Sequence, residues 1–271
     1  MTSPLITLTT DFGITDSYVA QMKGAILSIA PDAILIDVTH KIPPQDCAVA
    51  AAVLADAVGA FPAGTIHLVV VDPGVGTPRR AIAVEARGER DEAPLRFVAP
   101  DNGVLTRVLE ARPTVRAVEL KDRRFWRPTV SQTFHGRDVF GPVAAHWSRG
   151  ADLADFGPPL DSPLVKLMLP RPVREGSNLH GEVVRTDAFG NLITNISAAD
   201  LSAADRTRLT VEIGTQRIAG ISQAYQDRAT GELLAVIGSS GMLELAICCG
   251  HAGEILAVWS GDKVVVRGLS P

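Results

Sequence analysis

Residues Val69–Arg80 read VVVDPGVGTPRR, and this stretch decides the fold class. Its three leading valines indicate a strand that is buried on both faces, as in a parallel sheet covered by helices. The strand ends at Asp72, and a Pro/Gly turn then brings back two arginines, Arg79 and Arg80. In open α/β sheets, ligands bind outside the carboxyl ends of the strands. We therefore expect chemistry at the point where this strand ends.

The composition favours a globular protein that acts on a small molecule. The chain has 271 residues, enough for one large or two ordinary domains, and 46% of them are hydrophobic, which excludes general disorder. A formal net charge of −4 at pH 7 lacks the excess of positive charge that would indicate nucleic-acid binding. Three cysteines argue against a disulfide framework. Since no segment resembles a signal peptide or a membrane span, we expect a soluble protein in the cytoplasm.

Two patterns follow each other along the chain. In residues 1–160, strands alternate with helical patterns, which predicts an α/β domain with a mainly parallel central sheet. A proline-rich stretch is predicted to form a linker over residues 161–178. In residues 179–271, short strands separated by turns predict a smaller all-β domain, either a barrel or a sandwich. One of these predicted strands is Ile255–Trp259.

Three acids follow predicted strands and precede glycine turns: Asp11, Asp72 and Asp101. Each alone is more simply a turn residue that caps backbone N–H groups. Since the carboxyl ends of parallel strands share one edge of a sheet, the three together favour a functional site. His135, in a loop before a Gly-Arg-Asp sequence, is equally consistent with a site residue and with a solvated side chain. The chain has no HExxH or CxxC spacing, although Asp and His side chains could still bind a divalent ion.

The second half contains two polar turns between predicted strands. Asp187 and Asn191 bracket a Phe-Gly turn, which can present a carboxylate and an amide to one ligand or can be a hairpin capped by its own side chains. Ser239 and Ser240 lie between two glycines, a sequence that suits either capping or close approach of the backbone to a ligand. The residues alone leave these alternatives open.

Six motifs occur together in the order of a known family. They are TDFG at Thr10–Gly13, DPGVGTPR at Asp72–Arg79, APDNG at Ala99–Gly103, FHGRD at Phe134–Asp138, DAFGN at Asp187–Asn191 and GSSG at Gly238–Gly241. With these motifs the chain resembles, over almost its whole length, the S-adenosyl-L-methionine hydroxide adenosyltransferases. That family is related to fluorinating and chlorinating enzymes that act on the same substrate.

The resemblance implies hydrolysis of S-adenosyl-L-methionine to adenosine and L-methionine, with water or hydroxide attacking the ribose C5′. The family's catalytic Asp, Arg and His fall on Asp72, Arg79 and His135. The sulfonium is already an activated leaving group, so catalysis reduces to positioning and activating a water molecule. No metal and no other cofactor is implied. Whether Asp72 or His135 takes the proton stays open.

The resemblance also implies a set of substrate-binding residues. The ribose hydroxyls fall to Asp11, and the methionine ammonium and its neighbouring atoms fall to Asp187 and Asn191. The remaining assignments are Ser239 or Ser240 near the methionine carboxylate, and Phe134, Cys248 and Cys249 as walls around the purine. The chain departs from the family at Cys248, where Asn is common, and at Ile193, where the halogenating relatives carry an aromatic residue.

Halogenation is disfavoured by two further departures. Gly136 stands where the fluorinating enzymes have a Ser that holds the halide, and Asp72 stands where they have a Tyr. A carboxylate beside the nucleophile would repel a halide anion. The resemblance also implies a homotrimer, in which each active site lies between the first domain of one subunit and the second domain of its neighbour.

Two alternative functions stay open at this point. The first is a metal-dependent hydrolase that uses Asp11, Asp72, Asp101 and His135. The second is a sensor that binds S-adenosyl-L-methionine or adenosine without turnover.

Overall fold

The computed structural model describes residues 3–88 and 93–270. The chain divides into two compact units, Met1–Leu167 and Met168–Pro271, and each is described by itself. The two-domain architecture expected from the sequence is confirmed. The limits of the predicted linker over residues 161–178 stay a prediction.

The N-terminal unit is built on a six-stranded sheet. Its strands are β1 (Leu5–Thr10), β2 (Ile34–Thr39), β3 (Ile66–Val70), β4 (Ala81–Ala86), β5 (Leu95–Pro100) and β6 (Thr114–Glu119). Their order across the sheet is β2-β1-β3-β5-β4-β6. In this order, the neighbouring strands β2, β1, β3 and β5 pair in parallel. Strand β4 pairs antiparallel with both β5 and β6. The sheet is therefore mixed, and among the six described strands β4 alone runs against the others.

Helices cover both faces of this sheet. The four α-helices described in this unit are α1 (Tyr18–Leu27), α2 (Cys47–Val58), α3 (Thr106–Ala111) and α4 (Gly141–Ser148). Helices α1 and α4 contribute to one core cluster, and helices α2 and α3 contribute to another. Within residues 3–88 and 93–270, no helix combines the length and the apolar character needed to cross a membrane.

Strand β3 shows why the valine run belongs in the middle of this unit. Ile66, Leu68 and Val70 pack into the cluster with α1 and α4, whereas Val69 and Val71 pack into the cluster with α2 and α3. Fully burying an aliphatic side chain of this size contributes about 1.5–3 kcal/mol. An uninterrupted apolar strand is therefore stable between two helical layers, as the sequence predicted.

The C-terminal unit is built on antiparallel strands. They are β7 (Val173–Glu175), β8 (Asn178–Thr186), β9 (Leu192–Ser197), β10 (Thr210–Ile213), β11 (Gln216–Ala219), β12 (Leu233–Ile237), β13 (Met242–Ile247) and β14 (Lys263–Arg267). Seven of them follow the order β11-β10-β14-β8-β9-β13-β12, and β7 pairs with β8. The first half of β8 pairs with β14 and its second half with β9, so this long strand joins the two parts of the sheet.

The predicted strand at Ile255–Trp259 is wrong. A short helix, α5, occupies Ala252–Leu256 instead. Its first turn is capped by the side chain of His251, which accepts a hydrogen bond from the backbone N–H of Glu254, and it ends at Ala257 in a left-handed conformation with φ 52°. These caps override the strand preference of the apolar residues, so the C-terminal unit is mainly but not wholly β.

Candidate active site

Three of the predicted acids come at one edge of the N-terminal sheet. Strands β1, β3 and β5 are parallel neighbours, and Asp11, Asp72 and Asp101 follow their carboxyl ends. This placement is the one expected from the sequence. The contacts of the three carboxylates differ, however, and the difference separates structural acids from a reactive one.

Asp101 has the contacts of a structural residue. The Nη2 atom of Arg80 lies 2.5 Å from its Oδ2 atom, and the backbone N–H of Val165 donates to Oδ1 over 2.9 Å. Its side chain is only 2% exposed. Arg80 also donates to the backbone oxygens of Ser162 and Pro163. Arg80 and Asp101 therefore hold the end of β5 against the backbone of residues 162–165.

Asp72 is held by the other arginine of the motif. Arg79 donates from Nε to Oδ1 over 3.0 Å and from Nη2 to Oδ2 over 2.5 Å. The same Nη2 atom lies 2.8 Å from Nδ1 of His135. The Arg79 and Asp72 side chains are 12% and 5% exposed. One guanidinium thus brings His135, which lies 56 residues further along the chain, together with Asp72 and Arg79 through short, charge-assisted contacts.

The turn between Asp72 and Arg79 explains how the arginine comes back to the acid. The backbone N–H of Val75 donates to the carbonyl of Asp72, and the Thr77 hydroxyl donates to the carbonyl of Gly74. Gly76 has φ 77°, and a Cβ atom there would lie 2.4 Å from the carbonyl oxygen of Gln132. A glycine is required at this position, because it lets the turn pack against the segment that precedes His135.

His135 is positioned by an irregular helical turn. A π-helix over Gly136–Phe140 runs directly into α4. Asp138 in this turn is fully buried, and it accepts hydrogen bonds from Arg137, from Arg127 and from the backbone N–H of Ser131. These hydrogen bonds hold the pKa of the Asp138 carboxyl below its usual value against the opposing effect of burial. This anchoring role was not predicted from the sequence. The arginine and the acid that stand next to each other in the FHGRD motif were the signal that could have indicated it.

The contact with Arg79 determines the proton arrangement on His135. A guanidinium does not lose its proton in proteins, so Nδ1 of His135 is the acceptor and the neutral ring carries its proton on Nε2. Burial lowers the pKa of His135, and the charge of Arg79 lowers it further, while Asp72 and Asp138 act in the opposite direction. The neutral imidazole is therefore favoured near neutral pH.

Two cavities are lined by residues of the segment that carries His135. The first, of about 520 Å³, is lined by Asp11, Phe12, Tyr18, Gln21, Ser131, Thr133, Phe134 and Arg137. The second, of about 380 Å³, includes His135 and Gln132 in its lining. The predicted residues Asp11 and Phe134 thus share one cavity, whereas the adjacent His135 faces another. Phe134 is buried and stacks edge to face on Phe12 and Tyr18, with ring centroids 5.6 and 5.4 Å away.

Asp11 has contacts that differ from those of Asp72. Its Oδ2 atom accepts a hydrogen bond of 2.9 Å from the backbone N–H of Gln45. Gln45 is one of three described non-glycine residues with positive φ, at 66°. The left-handed backbone of Gln45 is unfavourable for a residue with a side chain, so the loop is held in this shape by its contacts. A carboxylate has about four acceptor positions, and Asp11 can hold further donors from the cavity.

The C-terminal unit contains a cavity of about 760 Å³. Its lining consists of Asp187, Phe189, Asn191, Tyr225, Ser239, Glu244, Ile247, Cys248, Cys249, Gly250 and His251. It therefore brings together five of the predicted substrate-binding residues. Ser240 is outside this lining, and its hydroxyl is buried without a hydrogen-bond partner among the described residues. Phe189, Tyr225 and His251 were not assigned to a site from the sequence, although Phe189 lies within the DAFGN motif.

Asp187 shows the capping contacts that the sequence left open. Its carboxylate accepts hydrogen bonds of 2.9 Å from the backbone N–H groups of Phe189 and Asn191 and from the side-chain amide of Asn191. The turn is therefore self-capped, and the acid still lines the cavity. The two readings of this motif are compatible, because one carboxylate can cap a turn and accept a further donor.

The described residues do not gather into a metal-binding group of three or more His, Cys, Asp or Glu side chains. Two of the acids in the metal-dependent alternative are each paired with an arginine, Asp72 with Arg79 and Asp101 with Arg80. These two carboxylates are thus already neutralised by a guanidinium each.

Comparison with known proteins then decides the family. The family model for the SAM hydroxide adenosyltransferase N-terminal domain, where SAM is S-adenosyl-L-methionine, matches residues 6–157, and the model for the C-terminal domain matches residues 181–265. The chain belongs to the SAM hydroxide adenosyltransferase family. The resemblance noted in the sequence is thereby confirmed.

Proteins similar to this SAM hydroxide adenosyltransferase match nearly its whole length. A protein from Salinispora tropica, named (R)-S-adenosyl-L-methionine hydrolase, is 42% identical over 97% of this chain and 98% of its own length. A protein of the same name from Thermus thermophilus is 37% identical over 94% and 96%. A solved structure from Thermotoga maritima, at 39% identity, covers 97% of this chain and 100% of its own with a TM-score of 0.90.

Fluorinases are also similar to this chain. A fluorinase from an Actinoplanes species is 33% identical over 74% of this chain and 74% of its own length. At Gly136 of this SAM hydroxide adenosyltransferase, a Cβ atom would lie 3.0 Å from Cζ of Phe12 and 3.3 Å from Cγ1 of Val70. A serine at this position, expected for a halide site, would therefore require Phe12 to move.

Proposed function

We propose that this chain hydrolyses S-adenosyl-L-methionine to adenosine and L-methionine. The observation that supports the proposal most strongly is the contact of Arg79 with both Asp72 and His135. Relatives of this chain are also named as this hydrolase. The oxygen of water or hydroxide bonds to the ribose C5′ while the C5′–S bond breaks. The bonding pair stays on sulfur, which leaves as the neutral thioether of methionine, and the water loses one proton.

The proposed roles follow from the proton arrangement. Nε2 of His135 donates to the attacking water and orients it, since Nδ1 is engaged with Arg79. Asp72 takes the proton, because a carboxylate has about four acceptor positions and Arg79 leaves at least one of them free. Arg79 keeps both partners in place and stabilises hydroxide character on the water. Proton transfer to a positioned group of this kind contributes about 10²–10⁴-fold in rate.

The proposed binding residues divide between the two units. On the N-terminal side, Asp11 holds the ribose hydroxyls, a task suited to an ionised acid, and Phe134 packs against the purine. On the C-terminal side, Asp187 and Asn191 bind the methionine ammonium. The remaining roles go to Ser239 or Ser240 at the methionine carboxylate and to Cys248 and Cys249 beside the purine.

The division of these residues favours an assembled active site. We propose a homotrimer in which the N-terminal unit of one subunit and the C-terminal unit of its neighbour enclose the substrate, as the family resemblance implies. The proposed location is the cytoplasm, where S-adenosyl-L-methionine is available. Sedimentation analysis tests the trimer independently of activity.

A product assay tests the proposed function. The purified protein, treated with a chelator, is incubated with S-adenosyl-L-methionine, and adenosine and L-methionine are quantified by chromatography. Equal amounts of the two products are expected. Binding of the substrate without product formation would support the sensor alternative, and activity that returns only when a divalent metal is added would support the metal-dependent one.

A further inference from the structure

The C-terminal unit places two thiols side by side. Cys248 and Cys249 directly follow β13, both are free, and their Sγ atoms lie 4.0 Å apart. Successive residues of a strand point to opposite faces, which would separate the two sulfurs. Cys249 breaks the alternation because its backbone is left-handed, with φ 56°. Side-chain-bearing residues rarely adopt this conformation, so the close pair is a specific feature of the turn.

Both thiols face the cavity that holds the proposed substrate-binding residues. Cys248 is buried and packs with Leu234, Val236 and Ala246, and Cys249 is exposed. Both line the same cavity as Asp187. A group bound across the two sulfurs would occupy space in this cavity.

The chemistry of the pair narrows the class of ligand. Burial raises the pKa of the Cys248 thiol, and the contact with Cys249 acts in the same direction. A structural zinc ion needs thiolates and usually four ligands, and within the described part of the chain no group of three His, Cys, Asp or Glu surrounds this pair. Trivalent arsenic instead exchanges its hydroxyl groups for thiols, and its pyramidal geometry holds two sulfurs close together. Linear mercury needs the sulfurs on opposite sides.

We propose that Cys248 and Cys249 form a binding site for trivalent arsenicals and that the bound arsenical excludes substrate from the C-terminal cavity. The exclusion rests on the proposed function, whereas the dithiol site does not. A monosubstituted arsonous acid, R–As(OH)₂, loses both hydroxyls: two As–O bonds break, two As–S bonds form, and each thiol proton leaves with a hydroxide as water. Arsenic stays trivalent, so no oxidant or reductant takes part.

Cys47 provides a matched control within the same chain. It is a partly buried thiol in the N-terminal unit, its Sγ atom lies 3.9 Å from the carbonyl oxygen of Val71, and burial raises its pKa to about 11. No cysteine is adjacent to it in the sequence, so it can offer one sulfur only. Linking two binding groups raises the overall affinity by about 10²–10⁴-fold, which is the advantage expected for the pair.

Intact mass measurement with stoichiometric phenylarsonous acid tests the site. One phenylarsenic group per chain is expected on the wild type and on Cys47→Ser, and a dithiol reagent but not a monothiol should remove it. Cys248→Ser and Cys249→Ser should each lower the apparent affinity by about 10²-fold or more. An adduct that is lost in Cys47→Ser, or that persists unchanged in both Cys248→Ser and Cys249→Ser, would overturn the proposal.

Competition between S-adenosyl-L-methionine and the arsenical distinguishes a failure of the arsenical site from a failure of the proposed function. Excess S-adenosyl-L-methionine should slow adduct formation, and the adduct should stop adenosine release until a dithiol is added. Labelling that is equally fast during turnover would overturn the exclusion and leave the dithiol site standing. If the unlabelled protein releases no adenosine, the proposed function fails, and the mass measurement still decides the arsenical site.

Discussion

Nη2 of Arg79 lies 2.8 Å from Nδ1 of His135 while it also donates to Asp72. One always-charged donor thus fixes the neutral imidazole with its proton on Nε2 and at the same time holds the carboxylate. The two groups on either side of Arg79 therefore have different roles. In the proposed reaction, His135 is a donor to the attacking water, and Asp72 is the acceptor of its proton.

Replacing Arg79 should change the pH dependence of the reaction. Burial lowers the pKa of His135 and the charge of Arg79 lowers it further, so wild-type activity should persist to lower pH than an ordinary histidine allows. In Arg79→Met the pKa of His135 rises, and the acidic limb of kcat/KM should move to higher pH, with kcat about 10²-fold lower. Arg80→Met is the control, because Arg80 pairs with Asp101. It should lower the melting temperature and leave the acidic limb in place, and an equal shift in both variants would contradict this role of Arg79.

Replacing Asp72 should remove the proton acceptor and spare binding. We expect Asp72→Asn to lower kcat by about 10²-fold or more with a small change in KM. Asp101→Asn is the matched variant at the neighbouring strand end, where the carboxylate holds Arg80 and Val165. It should reduce stability more than kcat. Steady-state kinetics together with thermal unfolding of both variants check this, and an unchanged kcat in Asp72→Asn would remove Asp72 from the mechanism.

A side chain at Gly136 should destabilise the fold unless Phe12 moves. A Cβ atom at Gly136 would lie 3.0 Å from the ring of Phe12, so Gly136→Ser should cost about 1–3 kcal/mol of stability by overpacking. The displaced ring would disturb the cavity that Phe12 lines, and KM should rise. The double variant Phe12→Leu/Gly136→Ser makes room for the hydroxyl and should recover part of the lost stability, as measured by urea unfolding. No recovery would show that the cost arises elsewhere.

His67 should make folding sensitive to acid. It is buried in β3 between Thr7 and Phe97, and burial lowers its pKa to about 4 from 6.5. The unfolded chain therefore binds a proton between pH 6.5 and 4 that the folded chain does not, so stability is lost as pH falls through this window. Relative to His67→Gln, the wild type should lose about 2 kcal/mol between pH 7 and 4.5. Urea titrations at a series of pH values check this, and a constant difference would contradict it.

Much of the site could be predicted because strand ends carry a strong signal. The valine run before Asp72 requires cover on both faces, and that requirement places the acid at the edge of the sheet. The choice between Arg79 and Arg80 could not be made from spacing, since both follow the same turn. It depends on packing over long range, because Arg80 is held by Asp101 and by backbone near Ser162.

Other features could not be predicted from local sequence patterns. The strand predicted at Ile255–Trp259 failed because a histidine cap and a left-handed Ala257 favour a helix over the β preference of the apolar residues. The anchoring role of Asp138 depends on burial among Arg127, Arg137 and Ser131, which sequence spacing does not reveal. The roles of the predicted binding residues stay predictions.

The fate of the water oxygen tests the proposed hydrolysis most directly. The protein is incubated with S-adenosyl-L-methionine in water labelled with heavy oxygen, and the adenosine is analysed by mass with fragmentation of the ribose. Attack of water on C5′ predicts one labelled oxygen per adenosine, located on C5′, in an amount equal to the L-methionine released. Adenosine without label at C5′, or no adenosine at all, would contradict attack of water on C5′.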